Sequence, residues 1–172
     1  MTVALDPNPT ATSRIVTSFV KSVMEVLLTM AHVQVKVGKP FLKKDPLPTY
    51  DVSGVIGLSG KYVGSMVLSL QEATAEALVS AFAGMPIPAK SPDFPDAIGE
   101  LANMIAGNAK TSFGEGTNIS TPSIIMGAGH TVARLHDVPC IIIPCTTDHG
   151  AFALEVNLKP PPAAASVEGG AI

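Results

Sequence analysis

Residues 51–70 read DVSGVIGLSGKYVGSMVLSL, and residues 137–158 read DVPCIIIPCTTDHGAFALEVNL. The first run holds two apolar stretches, 52–58 and 62–70, on either side of Ser59-Gly60-Lys61. That is the pattern of two strands joined by a tight turn, in which Gly60 supplies a positive φ. The second run repeats it: stretches 139–145 and 151–158 flank Thr146-Thr147-Asp148-His149-Gly150. A slide of 86 positions lays Asp51-Val52 on Asp137-Val138, Ile56 on Ile142, Gly64 on Gly150 and Leu68 on Leu154. One offset kept across several elements marks a duplicated unit.

Outward from the hairpins, the same slide relates two helices. The first is predicted from an N-cap at Ser13 to about Met30, with Ile15, Phe19, Val23, Val26, Leu27 and Met30 at the spacing of one buried face. The second starts near Pro95-Asp96 and runs to about Phe113, where Gly114 and Gly116 stop it. Each helix is followed by a further strand, Val33/Val35/Val37 in one half and 119–126 in the other, and a short helix over 72–82 lies between the halves. Hairpin-joined strands make antiparallel sheets, and a helix with one apolar stripe covers such a sheet. The expected fold is α+β: an antiparallel β-sheet packed with two long α-helices, an internal duplication of a helix–three-strand unit. Residues 13–159 are expected to form this domain, with disordered tails over 1–12 and, beginning at Pro160-Pro161-Pro162, over 160–172.

Composition narrows the classes of function. Of 172 residues 47% are hydrophobic and 15% charged, which excludes a disordered chain. A net charge of −3 provides no global field for nucleic acid or anionic lipid. Two cysteines make no disulfide framework, no secretory leader opens the sequence, and no run of apolar residues is long enough for membrane insertion. A cytoplasmic location is expected. A mean hydropathy of +0.38 with sparse charge points to a homo-oligomer.

The chemistry concentrates in the second helix, Asp96-Ala97-Ile98-Gly99-Glu100-Leu101-Ala102-Asn103-Met104-Ile105-Ala106-Gly107-Asn108-Ala109-Lys110. Counted at about 100° per residue, Ile98, Leu101, Ala102, Ile105 and Ala109 form the core face. Asp96, Glu100, Asn103 and Gly107 fall opposite, within about 60° of one another. Glu100 and Asn103, three apart, can engage one partner together. Asn103 does not titrate near neutrality and so is no general base, but its amide can hold and orient a water. Gly107 costs about 1 kcal/mol of helix stability relative to alanine and leaves a flat place for another backbone. By itself this spacing also suits an ordinary solvated helix face, with Asp96 favouring the helix dipole.

Glu100-Leu101-Ala102-Asn103-Met104-Ile105-Ala106-Gly107-Asn108, with Asp96 four residues before the glutamate, resembles the phosphatase helix of the CheC/CheX/FliY family, most closely its CheX branch. The order of elements and the duplication extend the resemblance over nearly all of the folded part. It implies a phosphatase acting on a phosphorylated response regulator of the CheY type. Glu100 would pair with the regulator's active-site lysine, and Asn103 would enter its site and place water for attack on the phosphoaspartate. Asp96 matches the motif's leading position, with Pro122 the candidate for a proline that follows the helix in that family. No cofactor is implied on this chain; Mg²⁺ is expected in the partner. Sliding back by 86 places Arg14 and Thr17 where Glu100 and Asn103 stand, so one site per chain is expected, as in the CheX branch, whose chains pair through their sheets into a homodimer.

Other constellations compete. His136, Cys140, Cys145 and His149 are all zinc-ligand types, yet their spacing forms no knuckle, and two cysteines five apart on a strand point to opposite faces; no metal site is expected. Gly127-Ala128-Gly129-His130 precedes no helix that would bind phosphate and reads as a turn, while Lys39, Lys43 and Lys44 form a solvated basic loop. Two further functional readings stand beside the enzyme: a non-catalytic module binding a response regulator or flagellar-switch component through the same helix, and a dimerisation domain.

Overall fold

The computed structural model describes residues 10–45 and 50–162. Helix α1 (Ala11–Ala31) buries Ile15, Phe19, Val23, Val26 and Leu27, and α3 (Phe94–Thr111) buries Ile98, Leu101, Ala102, Ile105 and Ala109, the stripes that the periodicity predicts save for Met30, which is exposed by 44% in the last turn of α1. Between them α2 (Glu72–Ala83) ends at Gly84, which takes φ 69°. Short strands β1 (Lys36–Val37) and β2 (Phe41–Leu42) follow α1, and β5 (Thr117–Ile119) and β6 (Ser123–Met126) follow α3. The hairpins are β3 (Val52–Gly60) with β4 (Val63–Leu70), and β7 (Ile141–Thr147) with β8 (Gly150–Lys159).

All strands join one antiparallel sheet in the order β1-β7-β8-β4-β3-β5, with β2 also on β7 and β6 also on β3. The duplication is thus visible in the topology. The hairpins meet at the centre through β4 and β8, and each half's short strands pair with the other half's hairpin. Gly64 and Gly150, equivalent under the slide, both take positive φ, 144° and 125°.

Several boundaries differ from the expectation, each for a local reason. The cap of α1 is Thr10, whose Oγ1 accepts from the Ser13 N–H at 3.3 Å, so residues 10–12 open the helix and do not belong to a tail. Pro160, Pro161 and Pro162 follow the last strand with no helix or strand of their own, and the rest of the expected tails, residues 1–9 and 163–172, lies outside the described residues. The strand expected from Val33 pairs only at Lys36–Val37, because His32 turns left-handed (φ 57°) and the Val33 N–H donates back to Leu27 O at 3.0 Å. The strand expected over 119–126 is two pieces. Pro122 has no N–H for a ladder, and Ser120 bridges the gap: its N–H donates to Gly57 O at 2.8 Å and its Oγ accepts from the Gly57 N–H at 2.9 Å.

α1 and α3 lie on one face of the sheet and on each other; the Ser22 hydroxyl donates to Ile105 O at 2.6 Å within that buried seam. The opposite face is not left to water. There Ser53, Ser69, Glu155 and Asn157, alternating with core residues along their strands, are also buried. The connection 127–140 crosses Ser53 and Asn157: Asn157 accepts from the Leu135 N–H at 2.8 Å and donates to Val138 O at 2.8 Å, and Ser53 Oγ lies 2.8 Å from His130 Nε2. Lys43 reaches Glu155 at 3.3 Å, both side chains nearly sealed from solvent.

Candidate functional site

The rigidity of α3 comes from its inner face. Phe94, Ile98, Leu101, Ala102 and Ile105 are fully buried, and their packing on the sheet and α1 fixes the helix's rotation. That rotation turns Asp96 and Glu100 into solvent and leaves Asn103 and Gly107 half-buried at the surface. The four predicted residues therefore share one outward strip about 16 Å long. Among the described residues the side chains of Asp96, Glu100 and Asn103 make no hydrogen bond or ion pair. An acid and an amide with all of their hydrogen-bonding capacity free, on a convex and braced helix, suit insertion into another molecule's pocket.

The β5–β6 connection runs along the outer flank of α3. A Cβ on Gly99 would stand 3.0 Å from Pro122 Cγ, so the proline ring packs on the helix at the residue before Glu100. At the other end Ile119 lies beside Gly107. Gly99 was not singled out from the sequence; a glycine within a helix, next to the acid of the motif, was the available signal.

The zinc-type residues do not converge. Cys145 lies in the core with the helices, where burial pushes its thiol up to about 12. Cys140 turns to the other face beside Arg134, its thiol also raised by burial. Among the described residues no three His, Cys, Asp or Glu side chains are grouped to hold a metal. His130 belongs to the turn after β6, its Nδ1 2.7 Å from Gly127 O. Lys43 of the basic loop is an ion-pair partner of Glu155 and, at 3.9 Å, of Asp45. No helix of the described residues is long and apolar enough to cross a membrane.

The family model described as chemotaxis phosphatase CheX matches residues 52–146, more than half of the chain. A protein of Thermotoga maritima named CheY-P phosphatase CheX is 31% identical over 119 residues, which span 67% of this chain and 77% of that one. The crystal structure of a chemotaxis protein CheX from Desulfovibrio desulfuricans is similar with a TM-score of 0.75 and 37% identity, over 84% of this chain and 97% of that one. The Borrelia burgdorferi CheX chain, solved with CheY, BeF3 and Mg²⁺, shares the fold at a TM-score of 0.70 and 22% identity, over 84% and 97% of the two chains.

Proposed function

The chain belongs to the chemotaxis phosphatase CheX family, and from that premise we propose that it hydrolyses the phosphoaspartate of a phosphorylated CheY-type response regulator. The observation that carries this reading is the pair Glu100 and Asn103, side by side on the outward strip of α3 with no partner of their own among the described residues. Glu100 docks on a lysine of the regulator, Asp96 and Gly107 complete the contact, and Asn103 enters the phosphorylated site. Its amide oxygen accepts from a water and its NH₂ donates, which aims the water's lone pair at phosphorus. An acyl phosphate is already activated, and its own site supplies Mg²⁺ and a lysine against the charge of the phosphoryl oxygens. Placing the nucleophile in line is what remains, and that needs neither a titrating group nor a metal on this chain. The reading draws support from the named phosphatase of Thermotoga and from the complex of a like-folded protein with CheY. It places the protein in the cytoplasm with its substrate. A homodimer through the sheet edge accords with Phe41 and Leu42 of β2, exposed there by 54% and 60%.

The test is phosphate release from a phosphorylated CheY-type regulator. Asn103→Ala is expected to lower the accelerated rate about 100-fold or more while binding to the regulator persists. Full activity in Asn103→Ala overturns the mechanism. Binding by the wild-type protein that leaves the phosphoryl lifetime unchanged makes it a non-catalytic module.

A further inference from the structure

α3 carries two glycines along its outer flank, and only one is accounted for by the protein's own packing. Gly99 leaves room for Pro122, which a Cβ would crowd at 3.0 Å. A Cβ on Gly107 would meet only Ile119 Cδ1, at 3.8 Å, an ordinary contact. Alanine therefore fits at 107 without any shift, and glycine there destabilises the helix by about 1 kcal/mol. Among the described residues nothing offsets that cost.

Continuing the angular count, Lys110 falls within about 20° of Asn103. It is half-buried, and its side chain makes no hydrogen bond or ion pair among the described residues. The strip thus runs over about 21 Å from two acids through an amide and a bare stretch of backbone to a base. A surface that fits it carries a base at one end, an acid at the other, and a raised main-chain segment between them.

We infer that Gly107 and Lys110 set the register in which the regulator docks: its main chain seats against the bare backbone at Gly107, and one of its acidic side chains pairs with Lys110. This rests on the phosphatase reading above and assigns two residues to specificity, not to the chemical step. A lysine in the last turn also suits the helix dipole; loss of that effect lowers stability, whereas loss of docking raises KM.

Steady-state phosphate release and thermal unfolding of the full chain separate these roles. Gly107→Ala is expected to raise Tm by about 2–4 °C while KM for the phosphorylated regulator rises about fivefold and kcat stays within about twofold. Lys110→Glu is expected to raise KM about tenfold, with Lys110→Arg near the wild type. A wild-type KM in either variant removes that residue from the inference. If both keep it while the wild-type protein turns over, the inference fails and the phosphatase reading stands. Absence of any acceleration by the wild-type protein sinks both.

Discussion

The two long helices are copies with the same inward face and different outward ones. Six of their buried positions coincide at an offset of 83, three short of the 86 that aligns the hairpins: Ile15, Ser18, Phe19, Ser22, Val23 and Val26 answer Ile98, Leu101, Ala102, Ile105, Ala106 and Ala109. At that offset Glu100, Asn103 and Gly107 face Thr17, Val20 and Met24 of α1. Neither offset places an acid and an amide on α1. Instead its outer side shows Met24 and Leu28, exposed by 44% and 51%. Packing against the sheet imposes one pattern on both inner faces, and nothing in the core constrains the outer ones. The difference between them is therefore where a role for α3 can be read.

The largest expected effect breaks the shared inner face. Phe19, fully buried and 6.0 Å from Phe113 between ring centroids, should cost about 3–5 kcal/mol when replaced by alanine. Met24→Ala on the outer side of the same helix should stay within about 0.5 kcal/mol. Denaturant unfolding of both variants checks the contrast. Next is the far side of the sheet. Lys43→Ala removes an ion-pair partner of the buried Glu155 carboxylate and should cost about 2 kcal/mol in the same measurement. A loss below about 1 kcal/mol would mean that water reaches that pair.

The outer faces are compared by kinetics. Glu100→Ala should raise KM for the phosphorylated regulator about tenfold without lowering stability, because its exposed side chain has no partner among the described residues. Thr17→Ala, its counterpart on α1, should leave KM unchanged. Equal effects would mean that both helices dock. The smallest effect belongs to Lys159, paired with Asp137 at 3.2 Å where both side chains are open to water. The Lys159 hydrogen bond holds the Asp137 carboxyl below its ordinary value of 3.8. The pair's contribution is therefore present at neutral pH and fades as acid protonates Asp137 below about pH 4. Lys159→Ala should lower the thermal midpoint at pH 7 by no more than about 1 °C.

Legibility followed the range of the forces involved. The helix stripes and the hairpins were readable because period and turn chemistry are local, and so was the outward strip of α3, the complement of its core stripe. The end of the strand expected from Val33 was not, since His32 bends the chain for the sake of the helix end. The cut at Ser120–Pro122 was half-readable: the proline announces a missing donor, but not that Ser120 fills the gap on β3. The three-residue difference between the helix offset and the hairpin offset was invisible, because letters alone do not say which small residues are inside.

From its order of residues alone, this protein is committed to two copies of a helix-and-hairpin unit and to one strip of acid, amide and glycine on a single helix. Those are consequences of residue period and of backbone freedom at particular glycines, which act within a few positions. Assembly alone decided that the short strands of each half pair with the other half's hairpin, and that connection 127–140 covers Ser53 and Asn157 on the polar face of the sheet. It also decided that Pro122 lies against Gly99 while Gly107 is left bare. Those contacts join residues distant in the chain, and their energies depend on burial that exists only once both halves have closed on one core.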